Sequence, residues 1–296
     1  MKPLVMAMPG NEALARSLEA ALDAETGSVH CRKFPDGESY VKVQSRVEGR
    51  AVVLVSTLDR PDEKTLPLLF AADALRDLGA RRVLLAAPYL GYLRQDRRFE
   101  DGEALSSVTF ARVLSGHIDG LATVDPHLHR YHSLDEIYRV PSKVVTAASL
   151  LAAWVRARVP DAVLLGPDSE SEQWVSSVAR QAGVSYLVLE KTRKGDHQVE
   201  IRAPGLAEHR DRGPVIVDDI ISTARTMIKT AELLKAGGMR APYCLGVHAV
   251  FAPGAWEGLN ASGVAEVVTC DTVPHASNRI SVAGPLAAAL RELLRP

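Results

Sequence analysis

The stretch VIVDDIISTARTM, residues 215–227, decides the predicted fold and the predicted site. It opens with a β-branched apolar run, which is typical of a buried parallel strand. Asp218 and Asp219 follow where that strand is expected to end, and a helix is predicted from about Arg225. In open α/β sheets, ligands bind outside the carboxyl ends of the strands, and a helix start with free N–H groups attracts anions. The pattern therefore predicts that the two acids take ribose hydroxyls or a metal-bound ligand.

The turn between strand and helix carries hydroxyl groups, and Thr223 and Thr226 are placed to take a phosphate. The alternative is a plain strand–turn–helix in which Ser222 or Thr223 caps the helix. Capping explains the hydroxyls, but it gives no reason for two adjacent acids on a buried strand. We therefore favour a site for a phosphorylated sugar.

The composition fits a globular protein of two ordinary domains, with 296 residues, 47% of them hydrophobic and 24% charged. A net charge of −1 gives no electrostatic reason to bind nucleic acid or an anionic membrane. The three cysteines are far apart and form no CxxC pair, which argues against a zinc site or disulfides and suits a reducing cytoplasm. The apolar run at residues 3–8 is too short for a signal peptide or a membrane span. We expect a cytoplasmic protein without nucleic-acid or membrane partners.

Polar and basic segments follow several other predicted strands. Residues 88–98, which include two tyrosines and Arg94, suit a nucleotide, with a solvated charged loop as the alternative. Residues 125–129, DPHLH, suit Mg²⁺ or a phosphate, although histidine is an unusual Mg²⁺ ligand and surface histidines are the alternative. Residues 190–196, EKTRKGD, are predicted as a loop that meets a phosphate-rich ligand or forms a solvated turn.

The order of predicted elements indicates an α/β protein. Residues 51–87 and 215–250 both predict a strand, an acid-bearing turn, a helix, a glycine turn and a second strand, which indicates a weak internal duplication. A helix is predicted over residues 144–159, and a closing helix over residues 286–294. We expect two domains, each a mainly parallel sheet flanked by helices.

Taken together, these segments resemble one family over nearly the whole chain, the ribose-phosphate pyrophosphokinases, also called phosphoribosyl-pyrophosphate synthetases. Residues 215–227 resemble the family's ribose-phosphate loop, and the five matching segments occur in the family's order. The resemblance implies two phosphoribosyltransferase-like domains, which we place at residues 1–141 and 142–282, with a last helix at 283–296 that often packs on the first domain. It also implies a homo-oligomer built from dimers.

The resemblance further implies that the diphosphoryl group of Mg²⁺-bound ATP is transferred to the 1-hydroxyl of ribose 5-phosphate, which gives phosphoribosyl pyrophosphate and AMP. Each matching segment carries an implied role. The roles are catalysis for Lys191 and Arg193; ATP binding for Phe34, Asp36, Glu38, Arg94, Gln95 and Asp96; a place near the Mg²⁺ and phosphates for His127 and Asp168; and ribose-phosphate binding for Asp218, Asp219, Ser222, Thr223, Ala224, Arg225 and Thr226.

Two loops depart from the family pattern. Ser222 stands where the family usually has an acid, and Arg225 where it has a glycine. Glu170 and Ser171 stand where the family commonly has a glycine pair. These departures leave two alternatives open: the same transfer to a different sugar phosphate, or a weakly active regulatory paralogue. Retention of Lys191, Arg193, Asp218 and Asp219 argues against the paralogue, because a pure binding protein does not need the catalytic pair.

Overall fold

The computed structural model describes residues 1–167, 171–194, 198–202 and 204–295, with the backbone alone for residues 173, 191–194 and 198–202. The strands are β1 (Leu4–Ala7), β2 (Glu25–Gly27), β3 (Val29–Lys33), β4 (Ser39–Val43), β5 (Ala51–Val55), β6 (Arg82–Ala87), β7 (Gly120–Val124), β8 (Ser142–Val145), β9 (Ala162–Gly166), β10 (Ser185–Val188), β11 (Glu190–Lys194), β12 (Gln198–Arg202), β13 (Gly213–Ile221), β14 (Tyr243–Ala249), β15 (Glu266–Cys270) and β16 (Asn278–Ile280). The α-helices are α1 (Glu12–Leu22), α2 (Pro61–Asp77), α3 (Ser106–Ser115), α4 (Ala148–Arg158), α5 (Glu172–Ala182), α6 (Arg225–Ala236), α7 (Ala255–Ala261) and α8 (Ala283–Leu294).

The chain divides into two compact units, Met1–Val145 with Val282–Pro296, and Thr146–Ser281. Each unit holds a six-stranded sheet, in the order β2-β1-β5-β6-β7-β8 in the first and β10-β9-β13-β14-β15-β16 in the second. Neighbouring strands in both sheets run parallel, and each unit adds an antiparallel hairpin, β3–β4 or β11–β12. Each strand of the second unit therefore repeats the strand eight places earlier, which confirms the predicted α/β class with two domains of similar build.

Helices cover the sheets, so β5, β7 and β9 are buried over their whole length. All of β5 is buried, as are Leu68 and Leu75 of α2, which pack in the same cluster. In the second unit, Ile216 of β13 packs with Met227 and Leu234 of α6. These clusters fix the carboxyl ends of the strands relative to the helix starts.

Helix α8 packs on the first unit's sheet and on α1. Leu286 and Leu290 are fully buried, and Arg82 donates a 2.8 Å hydrogen bond to the carbonyl of Arg295. Lys143 of β8 forms an ion pair with Glu292 of α8 at 2.5 Å. Residues 282–295 thus belong to the first unit by their packing.

The segment around residue 144 differs from the sequence-based prediction. Residues 142–145 form β8, which pairs with β7 at the sheet edge, and α4 begins only at Ala148. The prediction of helix from residue 144 is therefore wrong over its first four residues. Because β8 pairs with β7, the first unit extends to Val145. The boundary predicted from the sequence was residue 141.

No helix among the described residues is both long and apolar enough to span a membrane.

Candidate active site

The acid pair lies at the carboxyl edge of the second sheet, although β13 does not end there. On one side β13 pairs with β9 only as far as Ile216, while on the other side it follows β14 to Ile221. The predicted strand end at Asp218 is thus wrong by three residues, because the β-branched residues that follow extend the pairing with β14. Asp218 and Asp219 are half-buried, beyond the last paired residue of β9. Their carboxylates accept hydrogen bonds from the amides of Asp219 and Ile220 at 3.0 and 2.8 Å.

A close approach of two strands fixes the end of β13. Gly246 of β14 pairs with Asp218, and a Cβ at Gly246 would lie 2.6 Å from Cγ1 of the buried Ile221. Only glycine fits here without displacing the buried side chain of Ile221. The glycine therefore leaves room for Ile221 to pack against β14 beside the acids.

The hydroxyl turn leads into α6 without a side-chain cap. The residue before α6 is Ala224, which has left-handed dihedral angles (φ 55°, ψ 5°) and accepts no capping hydrogen bond on its side chain. Neither Ser222 nor Thr223 occupies the cap position, so the simple capping alternative is wrong. A left-handed alanine is uncommon, and such conformations concentrate at functional sites. The first amides of α6 keep the unsatisfied character that attracts anions.

The side chains of this turn differ in their exposure to solvent. Thr223 and Arg225 are exposed, Ser222 and Thr226 are half-buried, and Ala224 is buried. The carbonyl of Ser222 accepts a 3.1 Å hydrogen bond from the amide of Ala252, which ties the turn to the segment after β14. The structure thus brings the predicted ribose-phosphate residues together in one continuous strand end, turn and helix start.

The three predicted nucleotide residues of the first hairpin lie on the loop between β3 and β4. The amide of Phe34 donates to the carbonyl of Glu38 at 2.8 Å, and the amide of Glu38 donates to the carboxylate of Asp36 at 3.2 Å. Phe34 is 37% exposed, although the guanidinium of Arg32 lies 4.4 Å from its ring centre. An exposed aromatic ring next to two exposed acids is a surface that can stack a base and accept its amino protons.

The predicted ATP loop of residues 94–96 follows β6, and only part of it faces outward. Arg94 is exposed, and Gln95 accepts a 2.8 Å hydrogen bond from Ser106. The carboxylate of Asp96 is only 2% exposed and forms an ion pair with Arg130 at 2.6 Å. Asp96 therefore stabilises the conformation of the loop and does not face a ligand in solvent.

Sequence reasoning missed the partners of Asp96. Arg130 follows the histidine segment after β7, and Tyr131 donates a 3.3 Å hydrogen bond to the carbonyl of Asp96. Their position in the sequence could have indicated the contact. Both partners follow the end of β7, and β7 lies next to β6 in the sheet. His127 lies in that segment too, half-buried, with its ring centre 3.9 Å from that of His129.

The basic segment after β10 is a strand and not the predicted loop over residues 190–194. Strand β11 pairs antiparallel with β12, with Lys191 opposite Ile201 and Arg193 opposite Val199. The prediction of a loop failed because these five polar residues carry no strand pattern of their own, and the strand forms by pairing with β12. Asp168, predicted near the phosphates, lies outside the described residues.

The described residues contain no group of three or more histidine, cysteine or acidic side chains that could hold a metal ion. Mg²⁺ in phosphate-transferring sites is held by one or two carboxylates, by substrate phosphates and by waters, so it does not require such a group. Asp218 and Asp219 supply oxygen donors of the kind that Mg²⁺ accepts. The donor chemistry of this region therefore fits an ion that arrives with phosphates.

Comparisons with known proteins cover nearly the whole chain. The N-terminal domain of ribose phosphate pyrophosphokinase matches residues 4–117, and the phosphoribosyl transferase domain matches residues 133–283. The ribose-phosphate pyrophosphokinase of Methanopyrus kandleri is 37% identical over 292 residues, which cover 98% of this chain and 99% of that protein. The enzyme of the same name from Methanothermobacter thermautotrophicus is 35% identical over 291 residues, which cover 98% of this chain and 100% of that protein.

A solved structure shows the same fold. The phosphoribosylpyrophosphate synthetase from Mycobacterium smegmatis superposes with a TM-score of 0.86, covers 99% of both chains and is 24% identical in sequence. The chain therefore shares its two-domain fold with a solved structure.

Proposed function

Because the chain belongs to the ribose-phosphate pyrophosphokinase family, we propose that it transfers the diphosphoryl group of ATP to the 1-hydroxyl of ribose 5-phosphate. The products are phosphoribosyl pyrophosphate and AMP. The observation that carries this proposal is the acid pair of β13, followed at once by hydroxyls and an uncapped helix start. That sequence of groups suits a sugar whose hydroxyls and phosphate lie a few ångströms apart.

The sugar phosphate is held by β13 and α6. Asp218 and Asp219 accept hydrogen bonds from the ribose hydroxyls, which orients the ring. The 5-phosphate lies at the start of α6, where backbone amides and the hydroxyls of Thr223 and Thr226 donate to it. The tight left-handed turn at Ala224 lets the phosphate approach the backbone.

The nucleotide is held by groups of the first unit. Phe34, Asp36 and Glu38 bind the adenosine part, while Arg94 stacks on the base and Gln95 orients it. Asp96 acts through Arg130 by keeping the loop in shape. The family resemblance assigns His127 and Asp168 a role with the Mg²⁺ and the phosphates of ATP.

The reaction is a displacement at the β-phosphorus. A bond forms between the sugar's 1-oxygen and the β-phosphorus, and the 1-hydroxyl proton is released to solvent. The bond from the β-phosphorus to the oxygen that bridges it to the α-phosphorus breaks, and AMP leaves with that oxygen. Such a transfer depends on positioning and on neutralising charge. Mg²⁺ bound to the triphosphate supplies part of that neutralisation. Lys191 and Arg193 supply the rest on the transferred group.

The test of this function is the identity of the nucleotide product. With Mg²⁺, ATP and ribose 5-phosphate, we expect AMP and no ADP, in amounts equal to the phosphoribosyl pyrophosphate formed. Separation of the nucleotides by chromatography measures this directly. A reaction that released ADP alone would mean transfer of a single phosphoryl group and would rule out the proposal.

Arg225 provides a test of sugar-phosphate choice. It is exposed at the first position of α6, where a cation opposes the helix dipole unless an anion is present. We expect Arg225→Gly to weaken sugar-phosphate binding by about 1.5–3 kcal/mol, the size of a charge-assisted contact. The KM for ATP should stay unchanged, and Lys229→Ala, one turn later on α6, is the control. Higher activity on ribose 5-phosphate in Arg225→Gly with Ser222→Asp would mean that the arginine obstructs the site.

We also propose a homo-oligomer in which the β3–β4 hairpin completes the nucleotide site of a neighbouring subunit. The supporting observation is the exposed aromatic and acidic tip of that hairpin. A hairpin variant (Phe34→Ala with Asp36→Ala) and an acid-pair variant (Asp218→Asn with Asp219→Asn) should each be nearly inactive alone. Co-expressed in equal amounts, they should recover about a quarter of the wild-type sites, because an intact hairpin then meets an intact acid pair by chance.

The matched control is co-expression of each variant with itself, which should recover nothing. If the mixed sample is as inactive as the separate variants, the hairpin serves its own chain and the proposed arrangement is wrong.

A further inference from the structure

Tyr92 lies two residues before Arg94, in the segment that joins β6 to α3, and its backbone conformation is unusual. Its φ of 63° is in the left-handed region, which bulky side chains rarely adopt. Such a conformation is unfavourable unless surrounding contacts hold it, and residues of this kind concentrate at ligand sites. Contacts around Tyr92 must therefore keep the chain in this shape.

The side chain of Tyr92 joins two helices of the first unit. Its hydroxyl donates a hydrogen bond to the carboxylate of Asp62, which lies in the first turn of α2. Its ring packs against Phe110 of α3, with the two ring centres 4.7 Å apart. The two contacts hold the ring and the hydroxyl separately, one on each helix.

The backbone beside Tyr92 is held against the turn between β5 and α2. The amide of Leu58 in that turn donates a 2.8 Å hydrogen bond to the carbonyl of Tyr89. Gly91 lies so close to the turn that a Cβ on it would be 2.7 Å from the carbonyl oxygen of Leu58. Glycine permits this close approach because it has no side chain. Residues 89–92 are therefore fixed on the start of α2 by their backbone and by the tyrosine hydroxyl.

Arg94 is an exposed residue between two fixed points of the same segment. Before it, Leu93 is only 3% exposed, and after it the buried carboxylate of Asp96 is paired with Arg130. Because the side chain of Arg94 lies in solvent, its position depends on the backbone that carries it. The left-handed residue two positions earlier sets the direction of that backbone.

A purely structural role explains the ring of Tyr92 but not its hydroxyl. Packing against Phe110 needs only an aromatic ring, which phenylalanine also supplies. The bond from the hydroxyl to Asp62 is exposed to solvent, and exposed contacts to a charged group contribute little to global stability. Its effect is therefore expected on the local conformation of the segment and not on unfolding of the whole unit.

We propose that Tyr92 is a positioning residue, which acts through its hydrogen bond to Asp62 and holds Arg94 in the orientation that binds the base of ATP. The inference rests on the proposed function, because ATP is the ligand assigned to Arg94 there. Tyr92 itself touches neither substrate in this arrangement, since its hydroxyl stays with Asp62.

Loss of the bond should lower the fraction of molecules whose segment is ready to bind. The apparent dissociation constant rises in inverse proportion to that fraction. We expect Tyr92→Phe to weaken ATP binding by about tenfold, which corresponds to about 1.4 kcal/mol and is the size of a hydrogen bond to a charged group. The kcat at saturating ATP should stay close to that of the wild type, because bound ATP restores the competent conformation.

The binding experiment uses α,β-methylene-ATP, in which a carbon replaces the bridging oxygen whose bond breaks in the proposed transfer. Titration calorimetry with this analogue and Mg²⁺, without a sugar phosphate, measures binding in the absence of turnover. Steady-state kinetics with ATP then gives kcat and KM for the same variants.

A double-mutant cycle tests whether the hydroxyl acts through Asp62. Asp62→Ala should weaken binding as much as Tyr92→Phe, and the two changes together should weaken it no further, because both remove the same bond. Asp62→Asn should keep most of the affinity, since its amide oxygen accepts the same hydrogen bond.

Tyr138→Phe is the matched control. Tyr138 lies in the core of the same unit, 4% exposed, and its hydroxyl has no hydrogen-bond partner among the described residues. Its replacement removes a tyrosine hydroxyl without breaking a bond, so the affinity for the analogue should equal that of the wild type. Melting temperatures of all variants, measured in parallel, separate weaker binding from partial unfolding.

Three outcomes would overturn the proposal. The first is that Tyr92→Phe binds the analogue like the wild type, with or without a lower melting temperature, which would leave Tyr92 a structural role alone. The second is that the double variant weakens binding by roughly 100-fold, the product of the single effects, since the hydroxyl and Asp62 would then act independently. The third is that the wild type does not bind the analogue. If the wild type binds it but forms no AMP from ATP, the proposed reaction fails while the cycle still decides the role of Tyr92.

Discussion

Replacing Lys191 or Arg193 by alanine is expected to lower kcat by roughly 100-fold or more while changing the KM for ATP little. Both residues lie on β11 and, in the proposed reaction, meet the diphosphoryl group only as charge develops during transfer. Removing one such donor typically costs that much, because the site has no water to replace it. An interaction made only in the transition state lowers kcat and kcat/KM together. Steady-state kinetics with each substrate varied in turn measures both constants.

Two controls separate this role from a general effect of charge. Arg210→Ala removes an exposed cation from the turn that precedes β13 and should leave both constants unchanged. Lys191→Arg keeps the charge but changes the donor geometry, so it should recover only part of the rate. Wild-type turnover in both alanine variants would exclude the pair from the chemistry.

The second unit's central elements were predictable because local and global signals agree there. A β-branched run predicts the buried strand β13, and a 3.6-residue apolar period predicts α6, whose Met227 and Leu234 face the core. The acids and hydroxyls between them follow from position at a strand end. The predicted end of β13 was three residues short, since pairing with β14 continues past the acids.

Pairing and conformation that depend on distant residues were not predictable in the same way. Val144 and Val145 are apolar enough to be assigned to the following helix, and only pairing with β7 makes them part of a strand. Ala224 and Arg60 adopt left-handed angles that the sequence would assign to glycine.

The repeated topology was visible only faintly in the sequence. Strand, turn, helix and strand recur at 51–87 and 215–250, but the correspondence of the hairpins β3–β4 and β11–β12 needs the strand order. The two copies have kept their framework and diverged in the groups at their strand ends. One copy carries the acid pair, and the other carries the hydroxyls of Ser56 and Thr57.

Removing either partner of the Asp96–Arg130 ion pair should destabilise the protein, but the loss of Arg130 should cost more free energy of unfolding than the loss of the Asp96 charge. The carboxylate of Asp96 is 2% exposed, whereas the side chain of Arg130 is 40% exposed. Arg130→Ala leaves an uncompensated carboxylate away from water, and we expect it to destabilise the protein by about 3 kcal/mol, the lower end for buried pairs. For a unit of this size that lowers Tm by roughly 6–12 °C.

Asp96→Asn should cost only about 1 kcal/mol, because the amide still hydrogen-bonds and water reaches the arginine that remains. Calorimetry of both variants gives the comparison, with Arg139→Ala as an exposed-cation control that should not shift Tm. Since residues 94–95 are held by this pair, Arg130→Ala should also raise the KM for ATP while leaving that for the sugar phosphate unchanged. If Arg130→Ala and Asp96→Asn lose the same amount of stability, the Asp96 carboxylate does not need Arg130 to compensate its charge. The role assigned to Arg130 would then be wrong.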